Sequence, residues 1–279
     1  METSLQLSEP VLRLIAFAGI FGAMALLELL APRRKLRHSK LRRWITNIAI
    51  GGIDSACVRV MASLSVPLAA VAAALWAQAQ GWGLFNWLDL PFWLELASAI
   101  VLLDLAIYGQ HVASHKIPVL WRLHKMHHSD IDFDVTTAVR FHPVEIALSM
   151  LWKIVVVFAL GASAGAVIAF EIILNGCAMF NHSNVRLPHW LDRLIRRIIV
   201  TPDMHRVHHS IHRQEHDSNY GFNLSIWDRL FGTYTEQPRD GHEAMTIGLK
   251  PYQTEEPASL IWSLLLPFRE QDRDRDMDQ

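Results

Sequence analysis

The apolar residues of this chain are gathered into runs longer than a water-soluble core needs, and that clustering limits its fold more than any other feature. Of 279 residues, 51 % are hydrophobic. Val11 to Leu30 carries one ionisable group near each end, Arg13 and Glu28, and as a helix it reaches the ~30 Å of a hydrocarbon core. It reads as a first span. A secretory signal is not expected there, because Glu2 and Glu9 precede the run and no A-x-A pattern follows closely. Ile45 to Trp76 is too long for one upright helix and contains Pro67, so it reads as a tilted or kinked second span. Its Asp54 and Arg59 are costly in lipid and should face other helices. Phe92 to Gly109 is a third span. Ile146 to Phe180 holds two apolar limbs separated by Gly161-Ala-Ser-Ala-Gly165, each about 24 Å long as a helix, which suits either a shallow hairpin or two short crossings.

Local charge orients these segments. Arg33, Arg34, Lys35, Arg37, Lys40, Arg42 and Arg43 follow the first run at once, which by the positive-inside rule puts that loop in the cytoplasm, near anionic headgroups. A nucleic-acid partner is not expected: the run abuts a membrane segment, lacks interleaved aromatics, and the net charge is −1. The two cysteines, Cys57 and Cys177, lie in apolar segments and supply neither a disulfide framework nor a metal site. The residues beyond Pro267 are charged and aperiodic, and are predicted to be a disordered end.

Against this background stand three histidine clusters: His111 and His115 as H-x-x-x-H, then His124, His127 and His128 as H-x-x-H-H, then His205, His208 and His209 as H-x-x-H-H. Each residue of a helix turns by about 100°, so positions i, i+3 and i+4 project from one face and can converge on an ion. A single histidine such as His38, His189 or His242 is better read as an ordinary hydrogen-bonded residue. Eight at this spacing read as a metal site. The third span ends just before His111, and the return of the chain through the 146–180 region brings the third cluster to the same cytoplasmic face. Asp104 and Tyr108 lie on the His111–His115 stripe, and Asp104 is a candidate to accept the outer N–H of a metal-bound imidazole or else a packing residue. Imidazoles suit iron, zinc, copper or nickel, and three or four saturate one ion, so this many imply two. A metal transporter using Asp54 and Arg59, or a zinc-held structural or hydrolytic protein, would also carry histidines. A transporter, however, needs its site near the bilayer midplane.

The order H-x-x-x-H, H-x-x-H-H, N-H-S-N-x-R-L-P, T-P-x-M-H-R-x-H-H, closed by Asn219-Tyr220-Gly221 and Trp227-Asp-Arg-Leu-Phe-Gly-Thr-Tyr234, resembles the fatty acid hydroxylase and sterol desaturase superfamily over roughly residues 95 to 235. The resemblance implies an all-α integral membrane fold of about four transmembrane segments, with a cytosolic helical cap holding a histidine-rich dimetal site. It implies two iron ions, replaceable by zinc in purified protein, with O2 as co-substrate, a membrane lipid as substrate, and an outside electron donor such as a ferredoxin, a cytochrome or a reductase. The reaction implied is hydroxylation or desaturation of a lipid C–H bond. His111, His115, His124, His127, His128, His205, His208 and His209 match the superfamily's ligands, and His182 matches one between the second and third clusters. Fatty acid 2-hydroxylases carry a further H-x-x-x-H where this chain has Ala178 and Arg186, so a water, Asn181 or His142 is left to complete the set. His142 and Glu145 are expected to be structural or to support the ligands from outside, since Pro143 is a good first helical residue. His212 and His216 are expected in solvent or behind the ligands. Trp121, Phe133, Phe141 and Trp152 would anchor at the interface or line a pocket. Three regions follow: residues 1–92 as an N-terminal membrane region, 93–236 as the catalytic domain, and 237–279 as a C-terminal segment.

Overall fold

The computed structural model describes residues 8–64, 69–88 and 90–269, and all regular elements among them are helical. In chain order these are α1 (Glu9–Leu30), α2 (Lys40–Leu64), α3 (Ala70–Gln80), α4 (Leu84–Trp87), α5 (Phe92–Lys116), α6 (Pro118–His128), α7 (Pro143–Leu160), α8 (Ala164–Asn181), α9 (His189–Ile195), α10 (Pro202–His208), α11 (Arg213–His216), α12 (Ile226–Leu230), α13 (Gly241–Ala244) and α14 (Leu260–Leu265). Five of them, α1, α2, α5, α7 and α8, are long and apolar enough to cross a membrane. The count exceeds the expected four because the 146–180 region forms two full helices of 18 residues, each about 27 Å long. The expected tilted block from Ile45 to Trp76 is instead two helices, α2 and α3, and its Pro67 lies outside the described residues. So does the charged tail from residue 270 onward, for which disorder was the expectation.

The bundle is held by packing of α1 on α8, α2 on α7, and α5 on both α7 and α8, with α3 laid across α7 and α8. Its apolar core is assembled from small and large residues in register: Ala70, Ala73 and Ala74 of α3, Leu103 and Ile107 of α5, Val157 of α7 and Phe170 of α8. Long apolar side chains elsewhere on these helices remain exposed, among them Leu29, Ile45, Val60 and Val155, as a lipid-facing surface requires. At one end the α7–α8 turn meets the segment after α3 so closely that a Cβ on Gly83 would lie 2.1 Å from the Gly161 nitrogen. Both glycines have positive φ, 98° and 63°, so neither the space nor the backbone accommodates a side chain there.

At the opposite end the remaining short helices form a cap. The basic stretch from Arg33 to Arg43, the α1–α2 loop and the first turn of α2, is tied into that cap. Arg33 pairs with Asp203, the buried Arg34 donates to the Met245 carbonyl, and Arg43 is fully enclosed, with Asp130 at 2.7 Å and Asp134 at 2.6 Å. Only Lys35, Arg37 and Arg42 are exposed, and Arg37 still donates to Ala244 O. Asp54 is buried between helices as expected, but Arg59, also expected to face other helices, is exposed.

Candidate metal centre

The corner between α5 and α6 brings the first two clusters together. Pro118 disfavours helical backbone at the residue before it and has no amide hydrogen to lose, so α5 stops at Lys116, Ile117 is extended, and Pro118 opens α6. His111 and His115 then face His124, with ring centroids 5.1 and 4.9 Å apart. The third cluster lies on α10, which begins with Thr201 capping the Met204 amide and Pro202 in the first turn. His182 is the residue at which α8 ends. Its ring meets that of His205 at 4.4 Å between centroids.

The nine rings sort into two groups, His111, His115, His124, His128 and His208 in one, and His127, His182, His205 and His209 in the other. In each group one nitrogen per ring lies within 4.8 Å of every other. Eight of the nine residues are buried, and the His115 side chain is itself enclosed. The two H-x-x-H-H clusters therefore do not each make one site: His128 and His208 go to the first group, His127, His205 and His209 to the second.

Hydrogen bonds on the outer side of the rings fix which nitrogen points inward. A carbonyl oxygen can only accept, so the Nδ1 atoms of His111, His127, His182 and His208 donate to the carbonyls of Tyr220, Arg140, Ala178 and Ser218 at 2.8, 3.2, 2.8 and 2.7 Å. His124 Nδ1 donates to Glu145 Oε1 at 2.6 Å. Each donation leaves the Nε2 lone pair facing the interior. There it finds no donor: the Nε2 atoms of His115, His124, His128, His208 and His209 are buried without a hydrogen-bond partner. His182 Nε2 lies 3.1 Å from His127 Nε2 and 3.0 Å from His205 Nε2. That spacing is the ~3.0 Å expected between two nitrogens that each sit about 2.1 Å from one ion at right angles. Burial first, then the neighbouring imidazoles, hold His127, His128, His205 and His209 far below the usual histidine range, and burial drops His182 to about 4. Neutral rings, inward lone pairs and no competing donor are what a divalent transition-metal cation needs, and each group could hold one.

Of the two roles open to Asp104, support of an imidazole or packing, the structure has the second. Asp104 accepts from the amides of Asn223 and Leu224 and from Trp227 Nε1, and so clamps the loop after Tyr220 rather than an imidazole. Asp104 lies seven residues before His111, about 10.5 Å along the helix axis, which puts it out of reach of the ring. Tyr108 likewise turns away, bonding Thr233 at 2.9 Å. His142 caps α7 by accepting from the Val144 amide, while its other nitrogen meets Leu264 O, so it completes no ligand set. Asn181 donates to Phe222 O and lies in neither group. His212 pairs with Asp240 at 2.7 Å near the surface, and the buried His216 stacks flat on Trp121 behind the first group. Phe141 stacks on His127, whereas Trp152 faces outward.

Sequence reasoning missed the carboxylates that order the cap. Asp228 receives the Tyr220 and Gly221 amides and thereby sets the carbonyl that His111 uses. Asp130 and Asp134 with Arg43, Asn47 and Arg140 form a buried network under His127, and the D-x-D-x-D spacing of residues 130–134 was the available signal. Arg43 outweighs burial at Asp130 and holds its carboxyl below the ordinary range.

A cavity of about 560 Å3 adjoins the first group through His111 and His124 and extends between α1, α2, α5, α7 and α8. Its walls are mainly apolar, with Phe17, Phe21, Ile48, Ile107 and Leu174 among them.

Comparison with known proteins agrees with this geometry. The sequence profile of the fatty acid hydroxylase family matches residues 96–233, the stretch that carries all nine histidines. An ornithine lipid hydroxylase of Rhizobium tropici is 26 % identical over 226 residues, 81 % of this chain and 67 % of its own length. An alkylglycerol monooxygenase of Xenopus tropicalis is 30 % identical over 65 % of this chain and 41 % of its own, and a Delta(7)-sterol 5(6)-desaturase of Aspergillus fumigatus 25 % over 76 % and 60 %. The chain thus spans between two fifths and two thirds of the length of these relatives. No solved structure matches it.

Proposed function

The chain belongs to the fatty acid hydroxylase family, a family of membrane oxidoreductases that act on lipids, and on that premise we propose that it uses two iron ions, O2 and electrons from an outside protein donor to oxidise a C–H bond of a membrane lipid. The observation that carries this is the pairing of two groups of inward-facing neutral imidazoles with an apolar cavity between membrane-spanning helices. His111, His115, His124, His128 and His208 would hold one ion, and His127, His182, His205 and His209 the other. Iron so bound supplies the redox chemistry by which O2 is activated.

The chain's own residues supply position and a dry site. Tyr220 O and Glu145 Oε1 fix the tautomers of His111 and His124, the two ligands that face the cavity. Phe141 stacks on His127 at 4.4 Å between centroids and borders the cavity, so it shields one ligand group from the space the lipid would fill. The basic α1–α2 loop supports a cytoplasmic location for the cap, where a soluble or membrane-bound donor such as a ferredoxin, a cytochrome or a reductase reaches it. Relatives named for an ornithine lipid, an alkylglycerol and a sterol support a lipid as substrate.

The test is metal analysis with lipid mass spectrometry. Purified protein is expected to contain two irons per chain, and cells expressing it to gain lipids heavier by one oxygen or lighter by two hydrogens. His127→Ala, which removes one of four ligands in its group, should lose at least about half the iron and reduce turnover by about 100-fold or more. Iron-free protein with unchanged lipids, or full turnover in the variant, would overturn the assignment.

A further inference from the structure

One part of the cap leaves large apolar side chains uncovered among the described residues. Trp190, Leu194 and Ile198 repeat at i, i+4 and i+8 through α9 and the turn after it, and Leu230 and Phe231 close α12; all five are between 55 and 68 % exposed. The two segments are joined through their backbones. Val200 N donates to Asn223 O at 3.0 Å and Ser225 N to Ile198 O at 2.9 Å, while Arg229 donates to Arg196 O at 2.8 Å. A cap surrounded by water has no use for such a platform, and clustered exposed apolar side chains mark a surface of interaction.

Its depth says with what. Phe231 stacks on Tyr108 with centroids 5.3 Å apart, and Trp227 donates to Asp104, both partners belonging to the membrane-spanning α5. That stretch of α5 is level with the interior of α7: Gln110 accepts from Ser149, and Ala106 O from Trp152, six and nine residues inside that helix. At 1.5 Å per residue this is about 9–14 Å below the start of α7. Amphipathic segments lying in a membrane interface are immersed by about 5–10 Å, with Trp, Phe and Leu on the buried side and Lys or Arg on the other. Charge agrees. Over residues 187–200 and 223–235 the exposed side chains of fixed charge are Arg193, Arg197 and Arg229, whereas Asp192 and Asp228 are buried.

We propose that α9, the turn after it and α12 rest in the cap-side leaflet, with Trp190, Leu194, Ile198, Leu230 and Phe231 among the acyl chains and Arg193, Arg197 and Arg229 on anionic headgroups. A water-soluble partner would have to descend beside α5 to cover the same side chains; lipid is already there. The platform runs through Val200 straight into Thr201, which caps α10, so the leaflet steadies the helix that carries His205, His208 and His209. None of this requires that a lipid be oxidised.

The test reads position alone, on full-length protein with Cys57 and Cys177 replaced by serine, one copy per nanodisc of phosphatidylcholine and phosphatidylglycerol. A nitroxide is attached at Leu194→Cys or Leu230→Cys, with Val155→Cys on the exposed face of α7 as the lipid control. The water control is Gln214→Cys on α11, which lies past the end of α5, where Lys116 pairs with Asp217. The ratio of accessibility to O2 over that to a neutral nickel chelate is expected to match Val155 and to exceed Gln214 by at least about fivefold at both platform positions. A ratio equal to that of Gln214 at either position overturns the proposal. Dipolar broadening between labels in discs carrying two copies would give the face to a second copy and overturn it equally. Replacing part of the phosphatidylcholine by phosphatidylglycerol should raise the thermal unfolding midpoint of the unlabelled protein, and Arg193→Gln with Arg197→Gln should remove at least about half of that rise. No rise in the wild type, or an undiminished one in the variant, refutes the headgroup contact.

Discussion

A ring nitrogen is committed to metal or to proton by the atom on its far side. Because Tyr220, Arg140, Ala178 and Ser218 offer carbonyls, four histidines must carry their proton outward, and burial keeps the inner nitrogen bare. This has a consequence for pH. In the folded chain His127, His128, His205, His208 and His209 lie well below 6.5 and His182 at about 4, whereas in the unfolded chain all would titrate near ~6.5. As pH falls below about 6.5 the unfolded state takes up protons first, so stability falls with pH through the window between ~6.5 and 4. Metal-free protein in detergent should therefore show a thermal midpoint that drops from pH 7 to pH 5. A flat profile would mean that the rings are not held neutral. Arg43 makes a second residue-scale case: removing it strands Asp130 and Asp134 inside the cap. Arg43→Leu is expected to cost about 3–5 kcal/mol in urea or thermal unfolding, whereas Arg42→Ala, whose side chain is 55 % exposed, should cost little.

Between elements, precision comes from residues that never approach the metal. Pro118 turns α5 into α6 and lets an H-x-x-x-H on one helix oppose an H-x-x-H-H on the next. Asp104, on the same α5, reaches in the other direction and gathers two amides and an indole from the 223–227 loop. That loop follows Tyr220, whose carbonyl orients His111. Asp104→Ala is thus expected to lower both thermal stability, by about 2–4 kcal/mol for the stranded donors, and iron retention, although Asp104 contacts no histidine. Wild-type iron content in a destabilised variant would show that the loop and the metal group are uncoupled.

For the whole molecule, the bundle has two unlike ends. Gly83 against Gly161 closes one, and the α1–α2 loop, tied by Arg33, Arg34 and Arg43 to the cap, closes the other. The two ends are separated by the ~27 Å length of α7. With Cys57 and Cys177 replaced by serine, a cysteine at Ser39 should react with a membrane-impermeant maleimide only from one side of the membrane, the cytoplasmic one on our proposal, and one at Gln80 only from the other. Labelling of both from one side would refute the crossing pattern.

How much of this could be read before folding follows from the range of each interaction. Helical spacing and hydropathy are local, so the histidine clusters, the apolar spans and the break between the 146–180 limbs were legible from neighbours three to four residues apart or from runs of side chains. The basic run after α1 was legible as charge but not as contact, because its partners at Asp130, Asp203 and Met245 lie 87, 170 and 211 residues away along the chain. The same holds for the split of the histidines into five and four, for Asp104 turning to Trp227, and for Glu145 reaching His124. Angular position on a helix says which way a side chain leaves the axis; what it meets there is settled by helices and loops brought in from distant sequence, and metal chemistry depends on that meeting to a fraction of an ångström.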